Sequence, residues 1–269
     1  MKASRTLLAG RDGNRKERTK FMLQTPVPPA QRENTSTALC RLRTRFHKTG
    51  DAIFLSHLDL SRLMERALRR AELPIAYSQG FNPHPRMVFG AALAVGTESE
   101  AEYADFFLRR DISPGEFQKR LNEALPEGVA VSEVRWVDLA APALTAEVRV
   151  ADYRVLLLGE ISGEERDAFL RQEAIVLARG EKKVNIRPLI LLAEVVTGEV
   201  SDESGGDGKP SRSGREAFLR LRAGGQGNLR PEDFFSALSS FLERPIDLLW
   251  IKRTELWAEK NGRLTSLWE

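Results

Sequence analysis

The sequence predicts an α+β protein: two tandem ferredoxin-like domains of split βαβ pattern behind a disordered N-terminal tail. Three observations carry this. Segments of strand and helix periodicity run strand–helix–strand–strand–strand–helix–strand through residues 39–140, and the same order returns in 141–269. Each half holds a helix opened by a proline in its first turn, at Ser113-Pro114-Gly115-Glu116 and at Pro231-Glu232-Asp233-Phe234. Residues 1–38 instead lack hydrophobic periodicity and combine Pro26, Pro28 and Pro29 with the polar run Gln31 to Thr37, the composition of a segment that cannot bury a core.

Leu42, Thr44 and Phe46 alternate with Arg41, Arg43 and Arg45, a period of two that predicts a half-buried strand with its arginines on one face. Ser56 then caps a helix, with Asp59 three residues on as a capping box. Along that helix Leu60, Leu63, Met64, Ala67 and Ala71 share one face, while Asp59, Arg62, Arg66, Arg69 and Arg70 share the other. A Glu65–Arg69 pair is expected on the solvated side. Ile75–Ser78, Met87–Val95 and Glu102–Arg109 read as strands, Ser113 starts the second helix, and Val129–Val137 closes the first unit. The boundary falls near Leu139-Ala140-Ala141-Pro142. In the second unit Glu147–Leu158 is a strand, and Ser162-Gly163-Glu164-Glu165 caps a helix to about Glu173. Ala174–Arg179 and Val184–Val196 are strands, and residues 197–214, rich in Gly, Ser and Asp, form a flexible excursion. Glu216–Arg222, the Pro231 helix and a strand over Ile246–Ala258 complete the repeat.

Composition narrows the chemistry. The hydrophobic fraction of 42% and charged fraction of 29% are those of a soluble globular chain. No apolar run approaches the roughly 20 residues that span a bilayer, so no membrane association is expected. The single cysteine, Cys40, excludes a disulfide framework and suits a reducing cytoplasm. One thiol cannot supply the ligands of an iron–sulfur cluster or a cysteine-based zinc site; a zinc site built on the three histidines and a carboxylate stays open, with no His-x-x-x-His spacing to support it. The basic character is local. Residues 1–38 carry eight Lys/Arg against three Asp/Glu, and Met22 is an alternative start that would remove most of them. Residues 39–86 hold nine basic and four acidic groups while 87–138 hold five and ten, a dipolar first domain whose basic half suits a polyanion.

Two of the three histidines stand in unusual motifs. His57 follows the cap Ser56; on a helical wheel it lies over Leu60 and Met64, which predicts a ring tucked toward the core. His84 sits in Gly80-Phe81-Asn82-Pro83-His84-Pro85-Arg86, a loop stiffened by prolines. Turn geometry explains its Gly, Asn and Pro residues; Phe81, His84 and Arg86 together exceed what a turn needs and suit stacking with phosphate contact. The loop is expected at the end of the Ile75–Ser78 strand, beside Ser56 and His57 at the helix start. The stretch Gly224-Gly225-Gln226-Gly227-Asn228 lacks the spacing of a phosphate-binding loop and reads as a wide turn.

The motifs Phe46-His47-Lys48-Thr49-Gly50, Leu55-Ser56-His57-Leu58-Asp59, Arg66-Ala67-Leu68-Arg69-Arg70-Ala71, Tyr77 through Pro85 and Gly96-Thr97-Glu98-Ser99 resemble the bacterial radical-SAM-linked protein family, over roughly residues 40–258. The resemblance implies a partner, a cobalamin-binding-type radical SAM protein fused to such chains or encoded beside them, which carries the iron–sulfur cluster and S-adenosylmethionine, with no cofactor on this chain; it implies no reaction. The expected function is a non-catalytic RNA-binding or substrate-presenting subunit, with tRNA or rRNA as ligand. The contacts expected are Ser56, Phe81, Asn82, His84, Arg86, Arg62, Arg66, Arg69 and Arg70. Two other readings stand beside it: a metal-independent ribonuclease or nucleotide hydrolase using His57 and His84, and a protein–protein adaptor without nucleic-acid binding.

Overall fold

The computed structural model describes residues 38–180, 182–196, 200–202, 212–225 and 227–269. The expectation of a disordered tail falls outside them, as does most of the 197–214 excursion. Strand β1 (Cys40–Lys48) passes through a 3-10 turn (Gly50–Phe54) into α1 (His57–Arg70), followed by β2 (Met87–Phe89), β3 (Glu98–Leu108), α2 (Pro114–Ala124) and β4 (Val129–Val137). A short helix α3 (Leu144–Glu147) leads to β5 (Val148–Leu158), α4 (Gly163–Leu170), β6 (Val176–Arg179), β7 (Lys182–Asn185) and β8 (Ile190–Val195). The chain ends with β9 (Val200–Asp202), β10 (Arg212–Arg222), α5 (Pro231–Leu242), β11 (Asp247–Lys260) and β12 (Arg263–Ser266).

The fold is mixed α+β with one large sheet. Among the described residues ten strands join along the path β4-β1-β3-β11-β5-β10-β8, with β2 on β3, β9 on β10 and β12 on β11. Within each half the strands that carry the sheet lie in the order fourth–first–third–second: β4-β1-β3-β2, and β11-β5-β10-β8. The halves share the sheet because β3 is long. Its C-terminal part pairs with β2, and its start pairs in parallel with β11 at Glu98↔Lys252 and Ser99↔Arg253.

Two apolar clusters fill the fold. Leu42 and Phe46 of β1, Phe106 of β3, Met64 of α1 and Phe117 of α2 belong to the first. Val155 and Leu157 of β5, Leu219 of β10, Phe169 of α4 and Phe234 of α5 belong to the second. Each fully buried large side chain contributes about 1.5–3 kcal/mol. The helix starts follow the sequence: the hydroxyls of Ser56, Ser113 and Ser162 accept from the backbone N–H groups of Asp59, Glu116 and Glu165. Asp59 departs from the expected capping box, because its carboxylate accepts from the Ser56 hydroxyl at 2.6 Å.

Several expected strands are shorter or broken. Ile75–Ser78 makes only isolated bridges, Ile75 to Leu108 and Tyr77 to Pro85. Met87–Val95 stops at Phe89, where the N–H of Gly90 turns to the Tyr103 carbonyl and a side chain on Gly90 would press on Val148. Val184–Val196 is interrupted because the Asn185 side chain accepts from the N–H groups of Ile175 and Arg187, and a 3-10 turn over Arg187–Leu189 follows. The described ends of the 197–214 excursion are themselves paired, Val200–Asp202 against Arg212–Gly214. Gly224 is a turn residue: its φ is +81° and a Cβ there would meet the Val148 carbonyl oxygen at 2.4 Å.

One electrostatic tie closes the second half. Arg244, just beyond α5, donates Nη1 to Glu165 Oε1 at 2.8 Å and Nη2 to Oε2 at 3.0 Å, and the Ser162 N–H donates to the same carboxylate. Arg244 first, and Ser162 second, hold the Glu165 carboxyl down to about 2. That is below the ordinary glutamate value of about 4.3, so the tie stabilises the fold above that pH and is lost as pH falls toward 2. A carboxyl-carbon NMR titration should give a midpoint near 2 for Glu165. A midpoint near 4.3 would show that the pair is not formed in solution.

Candidate nucleic-acid interface

Helix α1 buries Leu60, Leu63, Met64, Ala67 and Leu68 and turns Asp59, Arg62, Arg66, Arg69 and Arg70 to solvent, as its periodicity predicts. Arg62 approaches Asp59 at 3.8 Å, and Arg70 donates to the Ala124 carbonyl at the end of α2. The Arg66 and Arg69 side chains make no hydrogen bond or ion pair with the described residues. The Glu65–Arg69 pair is not formed. Glu65 lies instead 3.5 Å from Nδ1 of His84, so the loop after Tyr77 rests on the third turn of α1 rather than on its start.

That loop is closed at its neck. The Ser78 N–H donates to the His84 carbonyl at 2.8 Å, and the His84 N–H donates to the Ser78 hydroxyl at 3.0 Å. One step further in, the Arg86 N–H donates to the Ala76 carbonyl at 2.8 Å. Gly80 takes the reversal with a φ of +128°. Gln79, Phe81, Asn82, Pro83 and His84 are exposed, and Phe81 is 106% accessible, a ring standing clear of its own protein. The Phe81–His84–Arg86 grouping is divided. His84 faces α1, while the Arg86 guanidinium lies over the Phe107 ring at 4.7 Å, beside Arg41 at 5.5 Å from the same ring. Phe107 and Asp105 alternate with the core residues Phe106 and Leu108 on β3, so Arg86 belongs to the other face of the sheet.

His57 is exposed rather than tucked into the core. Its ring meets Phe89 edge-on at 5.3 Å, at the mouth of a small pit lined by Lys48, Leu55, Ser56, Leu60, Phe89 and Glu102. His57 and the Glu65 that contacts His84 are eight residues apart on one helix, about 12 Å of rise. The two imidazoles therefore have separate neighbours and no shared hydrogen bond, which does not favour a histidine-pair hydrolase.

The first strand corrects the charge reading. Arg41 and Arg43 are buried, sharing Asp105, and Arg43 also pairs with Glu147. Lys48 is buried too, donating to the carbonyls of Ile53 at 3.1 Å and Leu55 at 2.8 Å, and burial lowers its pKa. Much of the basic excess of residues 39–86 is thus internal, and the accessible part lies on α1. Lys48, Glu102 and Arg253 were missed as a group because they come from three distant strands; only the Phe46-His47-Lys48-Thr49-Gly50 motif marked one of them.

Other chemistries find little footing. Burial pushes the Cys40 thiol up to about 12, so it is not a thiolate nucleophile at neutral pH. Among the described residues no three His, Cys, Asp or Glu side chains group to hold a metal ion, and no helix is long and apolar enough to cross a membrane.

Among solved structures, a chain of a Cbf5–Nop10–Gar1 complex is similar over 87% of this chain and 53% of its own, at 9% identity and a TM-score of 0.44. A chain of an H/ACA RNP bound to a substrate RNA containing 2′-deoxyuridine is similar over 82% and 47%, at 8% identity and a TM-score of 0.39. The first two RRM domains of yeast poly(U) binding protein align over 78% of this chain and 98% of theirs, at 12% identity and a TM-score of 0.18. The chain spans about half the length of the first two. The curated proteins give no match. The model of the family described as uncharacterized protein conserved in bacteria, DUF2344, matches residues 41–231, and the chain belongs to that family.

Proposed function

We propose that this chain is a non-catalytic RNA-binding, substrate-presenting partner of a radical SAM RNA-modification enzyme, and that it grips RNA with the outer face of α1 and the loop over residues 79–84. One observation carries the reading: the Arg66 and Arg69 side chains are exposed on α1, without partners among the described residues, directly beside a closed loop that holds Phe81 wholly in solvent. Structural arginines are normally paired, like Arg41 and Arg43 on β1. Guanidinium groups left in water beside an aromatic are the usual components of a phosphate-and-base surface. The partner comes from the family resemblance, and one cysteine among these 269 residues cannot supply the ligands of its cluster. The fourth–first–third–second strand order of each half supports reading the chain as two ferredoxin-like units fused along one sheet.

The test is RNA binding by the full chain with bulk tRNA or rRNA at low and moderate salt, beside co-purification with the neighbouring radical SAM protein. Arg62→Ala/Arg66→Ala/Arg69→Ala should fold normally and lower the slope of log K against log salt by about 2–3, the release of counterions from the phosphates those groups neutralise. Wild-type protein that binds no RNA at low salt and holds no partner would sink the proposal.

The adaptor reading keeps one observation of its own. Phe54, Leu58 and Val95 are 67%, 57% and 57% exposed, and the Gly96 N–H donates to the Ile53 carbonyl, bringing the Val95 loop to the start of α1. An adaptor surface there predicts partner binding that survives high salt without any RNA.

A further inference from the structure

We infer that the RNA taken by this face is single-stranded, with an unpaired base stacked on Phe81 and the adjoining phosphates on Arg62, Arg66 and Arg69. The inference rests on the RNA-binding reading and names its substrate class.

The geometry of the loop is the first ground. Phe81 buries nothing in its own chain, so its ring is not retained to fill the core. Yet the segment that carries it is held at both ends: Ser78 and His84 exchange two hydrogen bonds, Tyr77 bridges Pro85, and Pro83 and Pro85 restrict the backbone between. A ring on a closed, proline-braced tip gives up little conformational freedom when something stacks on it.

The second ground is the register between loop and helix. His84 meets Glu65, and Glu65 has Arg62 three residues before it, Arg66 next to it and Arg69 four residues after it. Residues three and four apart are neighbours on a helix surface, so Arg62 and Arg69 flank the point where the loop docks; Arg66, four residues after Arg62 and three before Arg69, joins them in one stripe alongside it. Glu65 is the acidic group in the middle of that stripe, and it faces His84. A strand whose base reaches Phe81 can therefore lay its backbone along about 10 Å of arginine-bearing helix.

The third ground discriminates between RNA forms. Arginines on a helix neutralise the phosphates of either form, with more counterion release from a duplex, so they give no preference for a single strand. Phe81 does not serve both. In A-form duplex the bases are stacked on one another and the major groove is too deep and narrow for a side chain, so the ring has no free base face to meet. An unpaired base offers that face whatever its identity, which predicts selectivity for strandedness with little sequence preference.

The experiment measures binding of the full chain to a labelled uridine-rich single strand and to a duplex of equal length, by fluorescence anisotropy at low salt. Wild type should prefer the single strand. Phe81→Ala, a change at a fully exposed position, should lose about tenfold in single-strand affinity and bring the single-strand-to-duplex ratio toward one, while Phe81→Trp keeps the preference. Arg66→Ala/Arg69→Ala should weaken both ligands alike. Wild type that binds both forms equally, or Phe81→Ala that keeps the preference, overturns the single-strand inference and leaves the RNA-binding reading standing. Loss of the radical SAM partner with unchanged RNA affinity in Phe81→Ala overturns it in favour of a protein contact. Absence of any RNA binding by wild type overturns both.

Discussion

Asp105→Ala should cost about 3–5 kcal/mol of stability, read as a shift of the urea midpoint, because it leaves buried arginines without their counter-charge. The Asp105 side chain is wholly buried in the middle of β3. It accepts from Arg41 Nε at 3.0 Å, from Arg43 Nε at 2.8 Å and from Arg43 Nη2 at 3.2 Å, with a further bond from Arg41 Nη2. The remaining donors are also committed: Arg41 to the carbonyls of Ala141 at 2.8 Å and Pro142 at 2.9 Å, Arg43 to the Leu267 carbonyl and Glu147. Two cations are thus balanced by two carboxylates, and the same guanidinium groups pin the linker and the C-terminal segment onto the back of β1. Removing Asp105 leaves one charge uncompensated where water has no ready access. Asp105→Asn keeps the shape but turns an amide N–H toward guanidinium donors, and should fall between wild type and Ala. Against a total stability of about 5–15 kcal/mol, the Ala variant is close to unfolding. The exposed Arg66→Ala serves as control, expected to change stability by about 0.5 kcal/mol or less. A loss under about 1 kcal/mol in Asp105→Ala would mean that the network is hydrated and the argument wrong.

The same strand shows what a sequence discloses and what it withholds. The alternation of Leu42, Thr44 and Phe46 with arginines identifies β1, and Val129–Val137 closes the unit where its pattern predicts. Local signals also find every helix of eight residues or more among the described residues, because caps and first-turn prolines act within a few residues of the backbone groups they satisfy. Alternation does not disclose what lies over the charged face. The carboxylates that bury Arg41 and Arg43 come from Asp105 and Glu147, some 60 and 100 positions away, so a strand covered on both sides reads as half-buried. Arg86 is misread for a similar reason: its sequence neighbours His84 and Phe81 suggest a shared site, and only the pairing with Phe107 on β3 turns it away. One further hairpin does carry a local signal. Asn261-Gly262, both with positive φ, is a two-residue hairpin turn, and it joins β11 to β12. For the candidate site, the loop and the arginine stripe were legible, since stiffness and helical spacing are local; their docking through Glu65 and His84 was not.

Arg253→Met should also cost about 3–5 kcal/mol, and pairing it with Glu102→Leu should recover most of the loss. Arg253 stands on β11 where the two halves of the sheet meet, 2% exposed, opposite Ser99 of β3. Burial works against its charge, but Glu102 and Tyr153 outweigh that and hold its pKa above the ordinary arginine value. Nε donates to Glu102 Oε1 at 2.8 Å and Nη2 to Oε2 at 2.5 Å, while Nη1 and Nη2 reach the carbonyls of Ala92 at 3.3 Å and Ala91 at 3.4 Å. Those carbonyls belong to the segment leaving β2, so one guanidinium gathers β3, the chain after β2 and β11. The parallel pairing it reinforces is only two residue pairs long, which leaves the junction dependent on side chains. Met in its place strands a buried carboxylate beside Lys48, whose own charge burial already disfavours. The double variant removes both desolvation penalties and keeps apolar volume at the junction, so a double-mutant cycle should give a large coupling energy. Amide exchange at the start of β3 should rise in Arg253→Met and return toward wild type in the double variant. If the double variant is as unstable as the single, the pair is not what joins the halves, and the apolar contacts around Tyr153 and Ile251 must carry the junction instead.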